Sequence, residues 1–231
     1  MPARDIRAVL FDVGGPINTE FEHERLIDAD IVGALTDEGI AVTPQAYADA
    51  VAWAVEHFAP DAHTAIITRL AGGDLQLAER AYAGMRRRAD GRYPFELRDG
   101  IADVIGWLHG RGLLLGLAAN QPATTLAVLD QLGIGRYFSH RQVSGTHGYR
   151  KPDVRLFLAC CGELGVAPEQ CIMVGDRVDN DIAPARLLGM TTVLFRTGRH
   201  AAQQPRSWEE APHAEVRDVP ELRAALDDLL R

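Results

Sequence analysis

Lysine is nearly missing from this sequence. Of its 24 lysines and arginines, only Lys151 is a lysine. The arginine excess reads as genome composition. A lone ammonium where guanidinium serves everywhere else marks a site that wants a compact point charge, because the two cations are not interchangeable. Cysteine is scarce as well. Cys160, Cys161 and Cys171 show no metal-ligand spacing and read as small buried apolar residues in a reducing compartment. Positive net charge is absent: the formal charge of −8 at pH 7 argues against a nucleic-acid or anionic-membrane surface. A small phosphate ligand stays open, since local charge decides that. No apolar run approaches the roughly 20 residues of a membrane span. Met1–Asp5 leads into the first apolar run without a signal-peptide core. These absences predict a cytoplasmic protein with no membrane and no nucleic-acid partner. Internal repeats and low-complexity segments are missing too.

What is present is organised around Arg7–Pro16. Ala8-Val9-Leu10-Phe11 is a short apolar run bounded by turn residues, the pattern of a strand buried on both faces of a parallel sheet. It stops at Asp12, and Gly14, Gly15 and Pro16 follow. In open α/β sheets ligands bind just outside the carboxyl ends of strands, where Asp12 would sit.

From Glu20 to about Tyr93 the sequence reads as helix after helix. Ile27, Ile31, Ala34 and Leu35 share a face, Thr43-Pro44 caps a second helix, Gly72-Gly73 ends a third, and Asp74 caps a fourth. From Leu97 strands and helices alternate. Strands are expected at Leu113–Ala118, Cys171–Val174 and Thr191–Phe195, with a weaker one near Arg141–Val143. Thr197–Pro212 reads as loop, and Pro220–Leu230 as a closing amphipathic helix. Such alternation predicts an α/β fold: a Rossmann-like parallel sheet core with helices on both faces. Its expected domains are a core of residues 1–19 and 94–231, with an all-helical insertion of residues 20–93.

Four stretches fall at or beside predicted strand ends: Asp12-Val13-Gly14, Ala119-Asn120-Gln121, Lys151-Pro152, and Gly175-Asp176 followed by Asp179, Asn180 and Asp181. A parallel sheet points its strand ends to one edge, so these residues can converge. Crowded carboxylates push one another's pKa upward unless a cation compensates, and hard oxygen donors suit Mg2+. The plainer reading of Asp179 and Asn180 is helix capping. His147 reads as a loop residue and not as a base.

With these residues in place the chain resembles the haloacid dehalogenase superfamily with a helical cap inserted after the first motif. The resemblance spans nearly the whole length. Phe11-Asp12-Val13-Gly14 stands for the strand ending Asp-x-Asp, Ala118-Ala119-Asn120 for the strand ending in Ser or Thr, Lys151-Pro152 for the Lys-Pro pair, and Gly175-Asp176 with Asp181 for the acidic fourth motif. Each alone is weak, but four in order are specific. The resemblance implies a Mg2+-dependent phosphatase of a small phosphorylated metabolite, acting as monomer or homodimer. Asp12 would be the nucleophile and Lys151 its charge partner. Val13, Gly14, Asn120 and Lys151 would cradle phosphate. Asp12, the Gly14 carbonyl, Asp176 and Asp181 would serve the metal.

Two positions depart from the family pattern. Gly14 replaces the aspartate that serves as general acid and base, help worth typically about 10²–10⁴-fold. Ala119 replaces the second-motif hydroxyl, for which Asn120 or Gln121 could substitute. Glu20, His23 and Asp179 are candidate replacement acids. The alternative is a weakened or inactive relative that binds a phosphorylated ligand or partner. A 2-haloacid dehalogenase ranks below both, because those enzymes need no metal and usually lack the Gly-Asp pattern. Phosphonate-cleaving relatives are nearly excluded, because the helical insertion has no lysine.

Overall fold

The computed structural model describes residues 5–89 and 93–231. The N-terminal reading at Met1–Arg4 lies outside these residues. The chain separates into two compact units, one of residues up to Thr19 together with Glu96–Arg231, the other Glu20–Phe95.

The first unit is built on a parallel sheet. Its strands are β1 (Ala8–Phe11), β2 (Leu114–Leu117), β3 (Cys171–Gly175), β4 (Thr191–Phe195) and β5 (Ala214–Val216), in spatial order β2-β1-β3-β4-β5. Residues of β1, β3 and β4 are buried throughout, which suits continuous apolar runs covered on both faces. After β1 the chain goes to one side, and after β3 to the other. The crevice for a ligand lies at that reversal. Register makes it exact in position: Phe11 pairs with Leu117 on one side and Val174 on the other. The next residues therefore leave the sheet side by side. Asp12 still donates its N–H to Val174 O at 2.9 Å, and Ala118 donates to Phe11 O at 2.8 Å.

Helices of this unit are numbered from α5, after the four of the helical unit: α1 (Phe21–Asp37), α2 (Pro44–Glu56), α3 (Ala62–Leu70) and α4 (Leu75–Arg88). There follow α5 (Ile101–Gly110), α6 (Thr124–Gln131), α7 (Ser144–His147), α8 (Val154–Leu164), α9 (Ala183–Leu187) and α10 (Val219–Leu229). The side chains of Ala8, Leu10 and Met173 pack against Leu156, Phe157, Cys160 and Leu164 of α8 in one core. Phe11, facing the opposite way along the strand, meets Phe138 edge-on at 6.3 Å.

In the helical unit, Ile27, Ile31, Ala34 and Leu35 of α1 form a core with Ala78, Ala81 and Met85 of α4, Ile66 and Ile67 of α3, and Ala50 and Ala54 of α2. The helix starts follow the expected capping chemistry. Thr43 accepts from Ala46 N at 3.2 Å, and Asp74 accepts from Gln76 N at 3.0 Å and Leu77 N at 3.1 Å.

Two expectations need correction. Arg141–Val143 is not a strand. Only His140 bridges to Gly116, after which Val143 N donates to Thr146 Oγ1 at 2.9 Å and Ser144 N to Ala119 O at 3.0 Å, starting the single turn of α7. His147 accordingly ends a helical turn and is not in a loop. The edge strand β5 has no counterpart in the sequence reading.

Candidate active site

Asp12 sits one residue beyond β1, where the ladder hands it to the crevice. Its Oδ1 accepts from Val13 N at 2.7 Å, and its Oδ2 lies 2.8 Å from Lys151 Nζ. Lys151 also reaches Asp181 Oδ1 at 2.6 Å, so one ammonium bridges two carboxylates. The side chains of Lys151 and Asp181 are 1% and 0% exposed, and that of Asp12 is 13% exposed. Asp176 follows β3 and is buried. The carboxylate oxygens of Asp12, Asp176 and Asp181 lie within 4.8 Å of one another.

Two glycines allow this crowding. A Cβ on Gly175 would stand 2.4 Å from Asp181 Cβ, so only glycine lets Asp181 close over the end of β3. Gly15 has φ +78°, and its Cβ would stand 2.7 Å from Asp176 Cβ. Gly14 is not among the positive-φ glycines, so a side chain there meets no left-handed backbone strain.

Asp181 is carried by a widened π turn, Val178–Ile182. Its Oδ2 accepts from Asp176 N at 3.2 Å and Arg177 N at 3.0 Å. Both oxygens are thus engaged, and Asp181 orients Lys151 and the backbone that bears Asp176. π turns are frequent at functional sites.

Burial pushes the Asp12 carboxyl up to about 6, with the Asp181 charge adding to it, against the pull of Lys151. Burial alone would lower the Lys151 ammonium, but the Asp12 and Asp181 charges outweigh it and hold it above the usual lysine value. The cluster holds three acids and one cation. It favours a further cation, and its hard oxygen donors fit Mg2+.

Asn120 follows β2 and grips the backbone of Lys151 from both ends of its amide: Nδ2 donates to Lys151 O at 3.0 Å, and Oδ1 accepts from Lys151 N at 2.8 Å. Its side chain therefore holds Lys151 in place, with a second Nδ2 N–H beyond these two bonds. Gln121 Oε1 accepts from Thr125 Oγ1 at 3.3 Å. Val13, expected to offer its N–H to phosphate, donates it to Asp12 here.

Asp179 is neither a helix cap nor a spare acid. Its carboxylate takes Arg177 NH2 at 2.6 Å and Gln203 Nε2 at 3.0 Å. Although burial would raise it, Arg177 holds it below the usual carboxylate value, so it keeps no proton to donate near neutrality. Glu20 and His23 belong to the helical unit, where His23 lies 4.8 Å from the Tyr93 ring.

Residues 6–189 match the profile of the haloacid dehalogenase-like hydrolases. The chain is 35% identical over 103 residues to a glyceraldehyde 3-phosphate phosphatase of Methanopyrus kandleri, covering 45% of this chain and 44% of that protein. It is 36% identical over 156 residues to a phosphoserine phosphatase of Thermus thermophilus, covering 66% and 59%. The chain spans about half the length of the curated relatives it matches. A predicted phosphoglycolate phosphatase of Haemophilus somnus shares its fold with a TM-score of 0.73 at 18% identity, covering 98% of this chain and 99% of that one. Among the described residues no helix is long and apolar enough to cross a membrane.

Proposed function

The chain belongs to the haloacid dehalogenase-like hydrolases, and from that premise we propose that it is a Mg2+-dependent phosphatase of a small phosphorylated metabolite. The observation that carries this reading is the single lysine bridging Asp12 and Asp181 beside Asp176 at the level ends of β1 and β3. Phosphatase relatives of this chain act on phosphate monoesters by name, which agrees with the reading. The helical unit Glu20–Phe95 serves as the cap that selects the substrate.

In this reading Asp12 attacks phosphorus. A bond forms between a carboxylate oxygen and phosphorus while the bond to the alcohol oxygen breaks, and the alcohol leaves as its alkoxide, which takes a proton from solvent water. Water then attacks the aspartyl-phosphate, freeing phosphate and restoring Asp12. Lys151 balances the charge of the transferring group and fixes Asp12, and Asp181 and Asn120 fix Lys151. Asp12, Asp176 and the Gly14 carbonyl would hold Mg2+, with Asp181 supporting through water. When bound, the ion supplies charge stabilisation to the phosphoryl oxygens. Gly14 offers its backbone N–H to the phosphate, and Val13 joins it when its N–H turns from Asp12 Oδ1.

Gly14 has no proton to give, so alcohols that leave without protonation should be favoured. The test is phosphate release from a panel of phosphorylated metabolites with Mg2+, beside Asp12→Asn. Release that disappears in Asp12→Asn supports the nucleophile; release that persists sinks it. The second reading, binding of a phosphorylated ligand without turnover, is favoured by Gly14 and Ala119 alone. It gains if folded wild-type protein binds phosphate and Mg2+ without release, and if Gly14→Asp then creates release.

A further inference from the structure

We propose that Arg98 is a positioning residue for the loop that follows Asp12, fixing the Gly15 peptide and through it the Gly14 carbonyl and the Asp12–Asp176 spacing. The proposal rests on the reading of the site as one that holds Mg2+.

The loop leaves β1 and folds on itself, with Ile17 N and Asn18 N donating to Val13 O at 3.2 and 2.8 Å. Gly15 is its point of closest approach, lying against the Asp176 side chain with no room for a Cβ. Whatever moves Gly15 moves relative to Asp176. Only the φ and ψ of Gly15 separate the plane of the Gly15 carbonyl from the plane that carries the Gly14 carbonyl.

Arg98 holds this loop at two points. Its backbone N–H donates to Ile17 O at 2.8 Å, and its Nε donates to Gly15 O at 2.8 Å. The guanidinium is itself anchored. NH2 donates to Thr197 Oγ1 at 2.9 Å, and the plane lies 4.7 Å from the centre of the Phe195 ring. Phe195 ends β4 and Thr197 follows it. The side chain thus ties the loop after β1 to the end of β4 and spans the end of β3, where Asp176 begins. Two directed N–H groups from one stacked plane need a guanidinium. A lysine ammonium has neither the fork nor the face.

A half-buried arginine with these contacts also contributes to packing, so the test must read something packing does not move. Mg2+ is titrated calorimetrically into full-length wild type, Arg98→Lys and Arg98→Met, with urea midpoints and circular dichroism recorded for each. Outer partners of metal ligands typically cost about 10–100-fold in affinity when removed. Arg98→Met should lose about tenfold or more in Mg2+ affinity while folded, and Arg98→Lys should not restore it. In turnover, the Mg2+ requirement should rise and kcat fall, with KM for the phosphorylated substrate little changed. Wild-type Mg2+ affinity in folded Arg98→Met overturns the proposal. If Arg98→Met does not fold, Thr197→Val decides, because it removes the NH2 anchor of the guanidinium and leaves Arg98 in place. A several-fold weaker Mg2+ affinity supports the proposal, and an unchanged one overturns it. Wild-type protein that binds Mg2+ but releases no phosphate sinks the phosphatase reading and leaves the Arg98 titration standing. Wild-type protein that takes up no Mg2+ overturns both.

Discussion

Among the described residues of the helical unit, three ion pairs lie on the outside. Arg25 meets Glu22 at 2.6 Å, Arg80 meets Glu38 at 2.7 Å and Arg88 meets Asp37 at 2.6 Å, with arginine side chains 59%, 56% and 39% exposed. At the strand ends of the sheet unit Lys151 meets Asp181 at the same 2.6 Å, and neither is exposed beyond 1%. Distance does not separate the two regions. Burial does, because water screens the first set and cannot reach the second. A buried charge cluster is also a poor device for stability, since desolvation offsets the attraction. Its retention at an edge where two strands end level points to chemistry. The helical unit folds on apolar faces and caps, and its ion-paired charges decorate it, while the buried Asp30 accepts a hydrogen bond from Tyr93 Oη at 2.9 Å. The sheet unit carries charges whose removal one at a time should be felt.

The largest effect expected from that contrast is at Lys151. Lys151→Met leaves Asp12 and Asp181 facing each other without their shared cation. Removing one partner of a buried pair typically costs about 3–5 kcal/mol. Urea denaturation of the metal-free variant at pH 7.5 should show a loss of that order. The loss should shrink below pH 6, where Asp12 can take a proton and relieve the repulsion. A midpoint equal to wild type at pH 7.5 would erase the distinction between the regions.

Next in size is the pH dependence of the metal-free wild type. Asp12 keeps its proton in the folded chain up to about 6, against an ordinary carboxylate value of 3.8. Between those values the native state binds more protons than the unfolded one, so this group's stabilisation is complete below about pH 4 and lost as pH rises through about 6. One pKa unit corresponds to about 1.36 kcal/mol, which bounds the effect at about 3 kcal/mol. Asp12→Asn should flatten this limb and raise the midpoint of the metal-free protein above pH 6. A limb that persists in Asp12→Asn assigns it to another group.

Much of this arrangement was legible in the residues and some was not, for physical reasons. Ala8–Phe11, Cys171–Gly175 and Thr191–Phe195 announce themselves because strands covered on both faces carry apolar runs of strand-forming residues, with two buried β-branched threonines opening the last. Ala214–Val216 does not, because a three-residue edge strand needs no such run. Arg141–Val143 misled because the chain touches β2 for one residue pair and then turns. Asp12, Lys151, Asp176 and Asp181 stood out as acids and a lone lysine beside predicted strand ends. The grip of Asn120 on Lys151 and that of Arg98 on Gly15 span 31 and 83 positions in sequence, and no local pattern encodes them. Asp179 was misread as a cap because its partner Arg177 competes for it from two residues away. Gly175 and Gly15 were visible as glycines, but the side chains pressed against them were not.

The smallest effect is the one expected at Arg80. Its Nε lies 2.7 Å from Glu38 Oε2, across helices α4 and α1, and the contact raises the arginine's pKa by hydrogen bonding first and charge second. Both ends remain open to water, and exposed pairs of this kind often contribute nothing measurable. Arg80→Ala keeps a strong helix former in α4, so no propensity loss confuses the result. The urea midpoint should stay within error of wild type, in low and high salt alike. A drop comparable to that of Lys151→Met would show that the exposed pairs also hold the fold together, and burial would no longer explain how the two regions differ.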